Sequence, residues 1–323
     1  MSSAPARPGA EGAAGSTASM PEGSVRLIAL LVGSAFVVIL NETIMGVALP
    51  ELMREFDVPA SSAQWLTTIF LLTMAVVIPV SGWALRRFSL RSVFVTAMAT
   101  FTVGTLLAAL APTFEVLVGA RAVQAFGTAL MMPLLITTVM SLVPASRRGQ
   151  MMGVISIVIS VAPAVGPTIS GVILDQLSWR WMFWLVLPIA VLSLVVGSIW
   201  VRNVTEQVRV TLDVGSVVLS ALAFSGLIYG LSSIGESASG DTLMPVWLPL
   251  VVGAAALVLF VLRQLRLRER ALLDLRAFGS STFSIELSAR SRSASSCAKS
   301  VATTGESSGR DRTVDADHQG LGR

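Results

Sequence analysis

Arg121, Gln124 and Thr128 stand in an apolar run at i, i+3 and i+7, a spacing that puts all three on one helix face. An arginine there stays charged and demands hydrogen-bond acceptors. A second apolar run, residues 27–49, holds one ionisable group, Glu42, which follows Asn41. An ionised carboxylate in hydrocarbon costs about 2.5–3.5 kcal/mol even on the lenient insertion scale, so it is protonated, paired or exposed to an aqueous cavity. A carboxylate close enough to the interface to reach water would need no further role. Arg121 lies about seven residues into its run, ~10 Å at 1.5 Å per residue, and Glu42 lies about as far back from Leu49. Equal depth permits a contact of Arg121 with Glu42 or with Asn41. A carboxyl group whose proton affinity is set by a fixed neighbouring cation can take up and release protons.

Such groups must be held in place by a scaffold whose solvent is lipid. The chain is 54% apolar and only 13% charged, with a mean hydropathy of +0.77; soluble domains carry about 25% charged residues. Runs of about 20 apolar residues, each enough for one helical crossing, recur from residue 27 to residue 262. Eight spans are predicted, roughly 27–49, 62–85, 92–111, 114–143, 150–174, 180–201, 213–232 and 244–262. Turn signals separate them: Pro50 with Asp57 and Pro59, Arg86-Arg87, Ala111-Pro112, Pro144 with Arg147-Arg148, Asp175, Arg202-Asn203, and Gly235 to Asp241. The fold class is all-α, a polytopic membrane helix bundle.

Charge sets the orientation. With the N-terminus cytoplasmic, the inner segments hold Arg7, Arg26, Arg86, Arg87, Arg91, Arg147, Arg148 and the arginines from Arg202 to Arg276 that lie outside the spans. The outer loops hold Arg54 and Arg180 against Glu51, Glu55, Asp57, Asp175, Glu236 and Asp241. Cytoplasmic loops attract Lys and Arg, so both termini are expected in the cytoplasm and the protein in the plasma membrane, crossing it several times. Trp65, Trp83, Trp179, Trp181, Trp200 and Trp247 fall near span ends, where their rings are expected at the headgroup layer.

Several function classes are disfavoured. A lone Cys297 permits no internal disulfide and no cysteine-built metal site, and the lone His318 makes a zinc site or a histidine-based triad improbable. The net charge of +4 comes from arginines in short loops and is no nucleic-acid signal. No constellation suited to an enzyme, and no metal or organic cofactor, is expected.

Four patches carry more. Leu40-Asn41-Glu42-Thr43-Ile44-Met45-Gly46-Val47-Ala48-Leu49-Pro50 ends the first span. Gly82-Trp83-Ala84-Leu85-Arg86-Arg87-Phe88-Ser89-Leu90-Arg91 follows the second. Arg121-Ala122-Val123-Gln124-Ala125-Phe126-Gly127-Thr128-Ala129 lies on the fourth. Ala162-Pro163-Ala164-Val165-Gly166-Pro167-Thr168-Ile169-Ser170-Gly171 lies on the fifth. There Ala162, Gly166 and Ser170 recur every four residues and strip one face of bulk, so another helix can approach. Pro163 and Pro167 each remove a backbone donor and bend the helix. Plain helix packing accounts for the small residues but less well for two prolines four apart. On physical grounds the arginines after the second span are equally well topology signals.

In family order, these patches resemble the major facilitator superfamily, and more narrowly its fourteen-helix drug/proton antiporter branch. The resemblance covers about residues 27–285. The first patch is similar to Leu-Asp-x-Thr-Ile-Val-Asn-Val-Ala-Leu-Pro, with Asn41 at the acid's position and Glu42 one place later. The third is similar to Arg-x-x-Gln-Gly-x-Gly-Ala-Ala, with Ala125 for a glycine. The fifth-span patch is similar to the antiporter signature. In the loop patch, Arg86 replaces an acid and Ser89 a glycine, while Gly82, Arg87 and Arg91 fit. Weaker matches are Ala63-Gln64-Trp65-Leu66 and Trp179-Arg180-Trp181-Met182-Phe183. Met131-Met132 and Met151-Met152 suit either an adaptable pocket or lipid-facing filler.

The resemblance implies a multidrug-type exporter of small hydrophobic or amphipathic molecules, driven by the proton gradient rather than a cofactor. Its expected proton-coupling group is Glu42, Asn41 and Arg121. Gln124 and Thr128 form a substrate or coupling face, and Pro163, Gly166, Pro167 and Gly171 a hinge. It divides the chain into a cytoplasmic tail (1–25), a six-helix N-terminal half (26–201), two linker helices with a basic end (202–278) and a C-terminal tail (279–323). Beyond Phe283-Ser284-Ile285 the chain turns Ser-, Arg- and Gly-rich and is expected to be disordered, where the family continues with six more spans. A frameshift or early stop would account for this, leaving a non-transporting remnant or an assembly partner. A homodimer would instead supply a second half.

Overall fold

The computed structural model describes residues 23–201, 213–237 and 247–267. They form α1 (Ser24–Glu55), α2 (Ala60–Arg87), α3 (Leu90–Ala109), α4 (Phe114–Leu142), α5 (Ala145–Gln176), α6 (Arg180–Trp200), α7 (Val214–Ser237) and α8 (Trp247–Leu267). All eight are long and apolar enough to cross a membrane, and no strand occurs among the described residues. The chain divides into two units at Arg263/Gln264; apart from the last residues of α8, everything below lies in the first. The expected tails, including Cys297 and His318, lie outside the described residues, except for Gly23 and for Ser24 and Val25, which already belong to α1. The loops at 202–212 and 238–246 also lie outside them.

Helix ends follow local chemistry. The Ser89 hydroxyl accepts from the Ser92 N–H and opens α3; Thr113 does the same for Val116 and opens α4. Each satisfies one of the orphan donors at a helix start. Between α1 and α2 the chain turns at Asp57, whose φ is 50°, and Pro59 starts α2.

Two expected turns move. Pro50 lies inside α1, which runs on to Glu55; one missing N–H leaves a helix free to continue where its neighbours hold it. Pro144 does mark a turn, but Arg147 and Arg148 belong to the first turn of α5. Arg148 Nε donates back to the Val143 carbonyl at 3.0 Å. A helix leaving the hydrocarbon needs no apolar residues to remain a helix, so hydropathy placed the end of α1 too early and the start of α5 too late.

The core lies between α1, α3 and α4, with α2 packed on α4 and α6 on α3. Phe94, Met98, Phe101, Met131 and Leu134 fill it. Helix α5 packs chiefly on α1, and α7 on α2, where Trp65 and Tyr229 have ring centroids 5.9 Å apart. Only Ile155, Ala162, Gly166 and Ser170 of α5 are buried. Trp179 departs from the expected headgroup position: it is 1% exposed, packed between Phe56 and Phe183. Trp181, Trp200 and Trp247 are exposed.

Candidate functional site

Four helices converge on Arg121. Its position on α4, with Gln124 and Thr128 at the same face, turns all three side chains inward: they are 1%, 0% and 3% exposed. The guanidinium carbon stands 4.2 Å from the centroid of Phe70 on α2. A desolvated cation over an aromatic face gains about 2 kcal/mol, which offsets part of the cost of its burial. Nη1 donates to Gln124 Oε1 at 3.1 Å. Gln124 Nε2 in turn donates to Thr105 Oγ1 of α3 at 2.8 Å, and the Thr128 hydroxyl donates to the Gln124 carbonyl at 3.0 Å. Arg121 Nε is buried and has no acceptor.

On α1, Asn41 is buried and Glu42 half-buried. Glu42 and Arg121 feel each other's charge directly, yet no ion pair within 4 Å joins them among the described residues. The Asn41 Nδ2 donor is also buried without an acceptor. The site therefore holds one cation, one carboxyl group and two unsatisfied donors in a low-dielectric interior. Each buried donor left without an acceptor costs free energy, so the site is not a locked ion pair.

The α5 residues meet α1 next to Glu42. A Cβ on Gly166 would lie 2.3 Å from Thr43 Oγ1, and Ser170 donates to the Ile44 carbonyl at 3.1 Å. The seam made by the small residues is thus with α1. Pro163 and Pro167 sit on the exposed side of α5, which remains helical through both, and Gly171 is exposed with nothing within 4 Å of an added Cβ.

Gly82, Arg87 and Arg91 stay apart from this cluster. Gly82 is half-buried near the end of α2; Arg87 ends α2 and Arg91 begins α3, both exposed. Ser89 has φ −67°, so that position needs no glycine, and its hydroxyl is used as the α3 cap. Sequence reasoning missed Thr105, Phe70 and Thr43. Thr105 resembles Thr100 and Thr102 of the same span, and its only cue is the adjacent Gly104.

At the end where α1 finishes and α6 begins, Arg180 ties the start of α6 to the end of α1 and to the α3–α4 loop. It donates to Glu55 Oε1 at 3.1 Å and to the Ala111 carbonyl at 3.2 Å, with its guanidinium carbon 4.3 Å from the Trp179 ring centroid. Glu51 and Arg54 pair on the last turns of α1. At the opposite end, Asp213 receives two hydrogen bonds from Arg263 at 2.8 and 2.9 Å and one from Ser216 at 2.6 Å. These hold its carboxyl well below the usual carboxylate range, Arg263 more than Ser216. No cluster of metal-ligating side chains occurs among the described residues.

Residues 31–263 match the family model of the Major Facilitator Superfamily. Among curated relatives, the MFS-type transporter YcnB of Bacillus subtilis is 44% identical over 80% of this chain and 54% of its own length. The lincomycin resistance protein LmrB of the same organism is 42% identical over 78% and 52%. The putative multidrug resistance protein MdtD of Escherichia coli is 32% identical over 77% and 52%. The chain thus spans about half the length of the curated relatives it matches. Among solved structures, the human organic anion transporter MFSD10 aligns with a TM-score of 0.52 at 14% identity, over 75% of this chain and 72% of that one. A sulfate-bound peptide transporter aligns at 0.54 and 14%, over 75% and 52%. These two likenesses concern the fold.

Proposed function

The chain belongs to the Major Facilitator Superfamily, and from that premise we propose that it serves multidrug-type efflux, exporting small amphipathic molecules in exchange for protons. The observation that carries the reading is the buried Arg121, hydrogen-bonded to Gln124 and within electrostatic reach of Glu42 across the α1–α4 seam. Glu42 takes up and releases the exchanged proton; Arg121 sets its affinity. Relatives named for lincomycin and multidrug resistance support the substrate class.

In transporters of this kind, substrate binds near the bilayer midplane between two repeats that rock about it. The six-helix unit α1–α6 supplies one such repeat here. Where this chain acts by itself, a second copy provides the facing surface. The arginines at the α1 start, the α2 end and the α5 start support a cytoplasmic placement of that end, and so of both termini, in the plasma membrane.

The test is accumulation of labelled lincomycin by everted membrane vesicles containing the chain. Accumulation that requires an imposed proton gradient and stops with an uncoupler is expected. Accumulation that ignores the gradient, or none by protein that is folded and inserted, contradicts the proposal.

A further inference from the structure

The Arg121–Gln124 pair is anchored on α3 by a residue to which the proposed function gives no role. Thr105 is fully buried and accepts a hydrogen bond from Gln124 Nε2 at 2.8 Å. Its own proton goes to the Phe101 carbonyl at 2.7 Å. A hydroxyl has a single proton to give, so Thr105 can meet Gln124 only as an acceptor. An amide has a donor end and an acceptor end. With its NH2 turned to Thr105, Gln124 leaves Oε1 for Arg121 Nη1, 3.1 Å away. The opposite orientation would set an NH2 group against the guanidinium, donor against donor. Hydrogen bonds therefore run in one direction, from Arg121 through Gln124 and Thr105 to the α3 backbone.

The seam between α3 and α4 is built for this reach. A Cβ on Gly104 would lie 2.6 Å from the Gln124 backbone nitrogen and 2.7 Å from its Cγ. A Cβ on Gly127 would lie 2.3 Å from the Ala97 carbonyl oxygen. Each helix contributes a glycine against the other, and the short Thr105 side chain can then touch Gln124.

We infer that Thr105 is a positioning residue, which fixes the Gln124 amide and through it the direction in which Arg121 presents its charge to Glu42. The inference rests on the proton-exchange role proposed for Glu42 and Arg121, but its test needs no transport. In the purified full chain, Glu42 protonation is followed through the infrared band of its protonated carboxyl, identified by its loss in Glu42→Gln. Thr105→Val is expected to move the titration midpoint by about one pH unit, tenfold in proton affinity. Gln124→Leu should move it equally, the double variant no further, and Thr105→Ser, which keeps the hydroxyl, not at all. Should Thr105→Val fail to fold, Thr105→Ala serves with the same outcomes. A midpoint shared by wild type and the hydroxyl-free variant, or a shift in Thr105→Ser as large as in Thr105→Val, overturns the inference. Intact shifts in a protein that moves no substrate would overturn the transport reading alone. A Glu42 that does not titrate between about pH 4 and pH 10 overturns both.

Discussion

Gly166 of α5 and Thr43 of α1 touch so closely that a single added methyl group would sit 2.3 Å from the Thr43 hydroxyl oxygen. Thr43 follows Glu42 in the chain, and its hydroxyl is already committed to the Leu40 carbonyl at 2.9 Å. The α1–α5 seam therefore fixes the turn of α1 that carries the acid.

Gly166→Ala should accordingly lower the thermal stability of the purified chain, by about 1–3 kcal/mol for overpacking of this kind, and impair proton exchange along with it. Gly171→Ala is the control. It faces open space, and alanine's helix preference, worth up to about 1 kcal/mol, should leave it unchanged or slightly stabilised. Equal behaviour of the two variants in thermal denaturation would contradict the seam.

Asp213 links the start of α7 to Arg263 of α8, and its carboxyl is held below the usual range by Arg263 and then Ser216. A carboxyl lowered on folding stabilises the fold above the unfolded value, about pH 4, and loses that contribution as pH falls toward its own depressed value. The thermal midpoint of wild type should therefore fall on acidification below about pH 4 more steeply than that of Asp213→Asn. Parallel pH curves for the two would contradict the assignment.

Much of the architecture was legible because lipid imposes a single requirement, a long apolar helix, and eight such runs are plain in the sequence. The spacing of Arg121, Gln124 and Thr128 also marked a shared face, and all three are buried on it. What hydropathy could not see was where a helix continues into water, as α1 does past Pro50 and α5 does before residue 150. Trp179 was misplaced because an indole at a span end can pack under a loop as readily as face headgroups. Thr105 and Phe70 were invisible for another reason. Their roles depend on which helices neighbour α4, and a threonine or phenylalanine in an apolar run looks the same wherever it points.

Arg180 spans Glu55, Ala111 and Trp179 at one end of the bundle. Its pair with Glu55 is partly exposed, and such pairs contribute about 0–1 kcal/mol. Arg180→Lys keeps the charge but loses the planar fork that serves a carboxylate and a carbonyl together. A small loss of thermal stability, about 1 kcal/mol, is expected for Arg180→Lys, and a loss insensitive to added salt for the part carried by the Ala111 carbonyl. A wild-type melting point for Arg180→Lys at both low and high salt would show that the guanidinium geometry is immaterial.

The proposed efflux turns on Glu42, within electrostatic reach of Arg121, as the group that exchanges protons. Its most direct measurement is lincomycin-driven proton movement in proteoliposomes of wild type, Glu42→Asp and Glu42→Gln, each verified as folded. We expect wild type to move protons, Glu42→Asp to retain some movement, and Glu42→Gln to fall to the level of empty liposomes. Proton movement by Glu42→Gln at the wild-type rate would show that Glu42 is not the exchanging group.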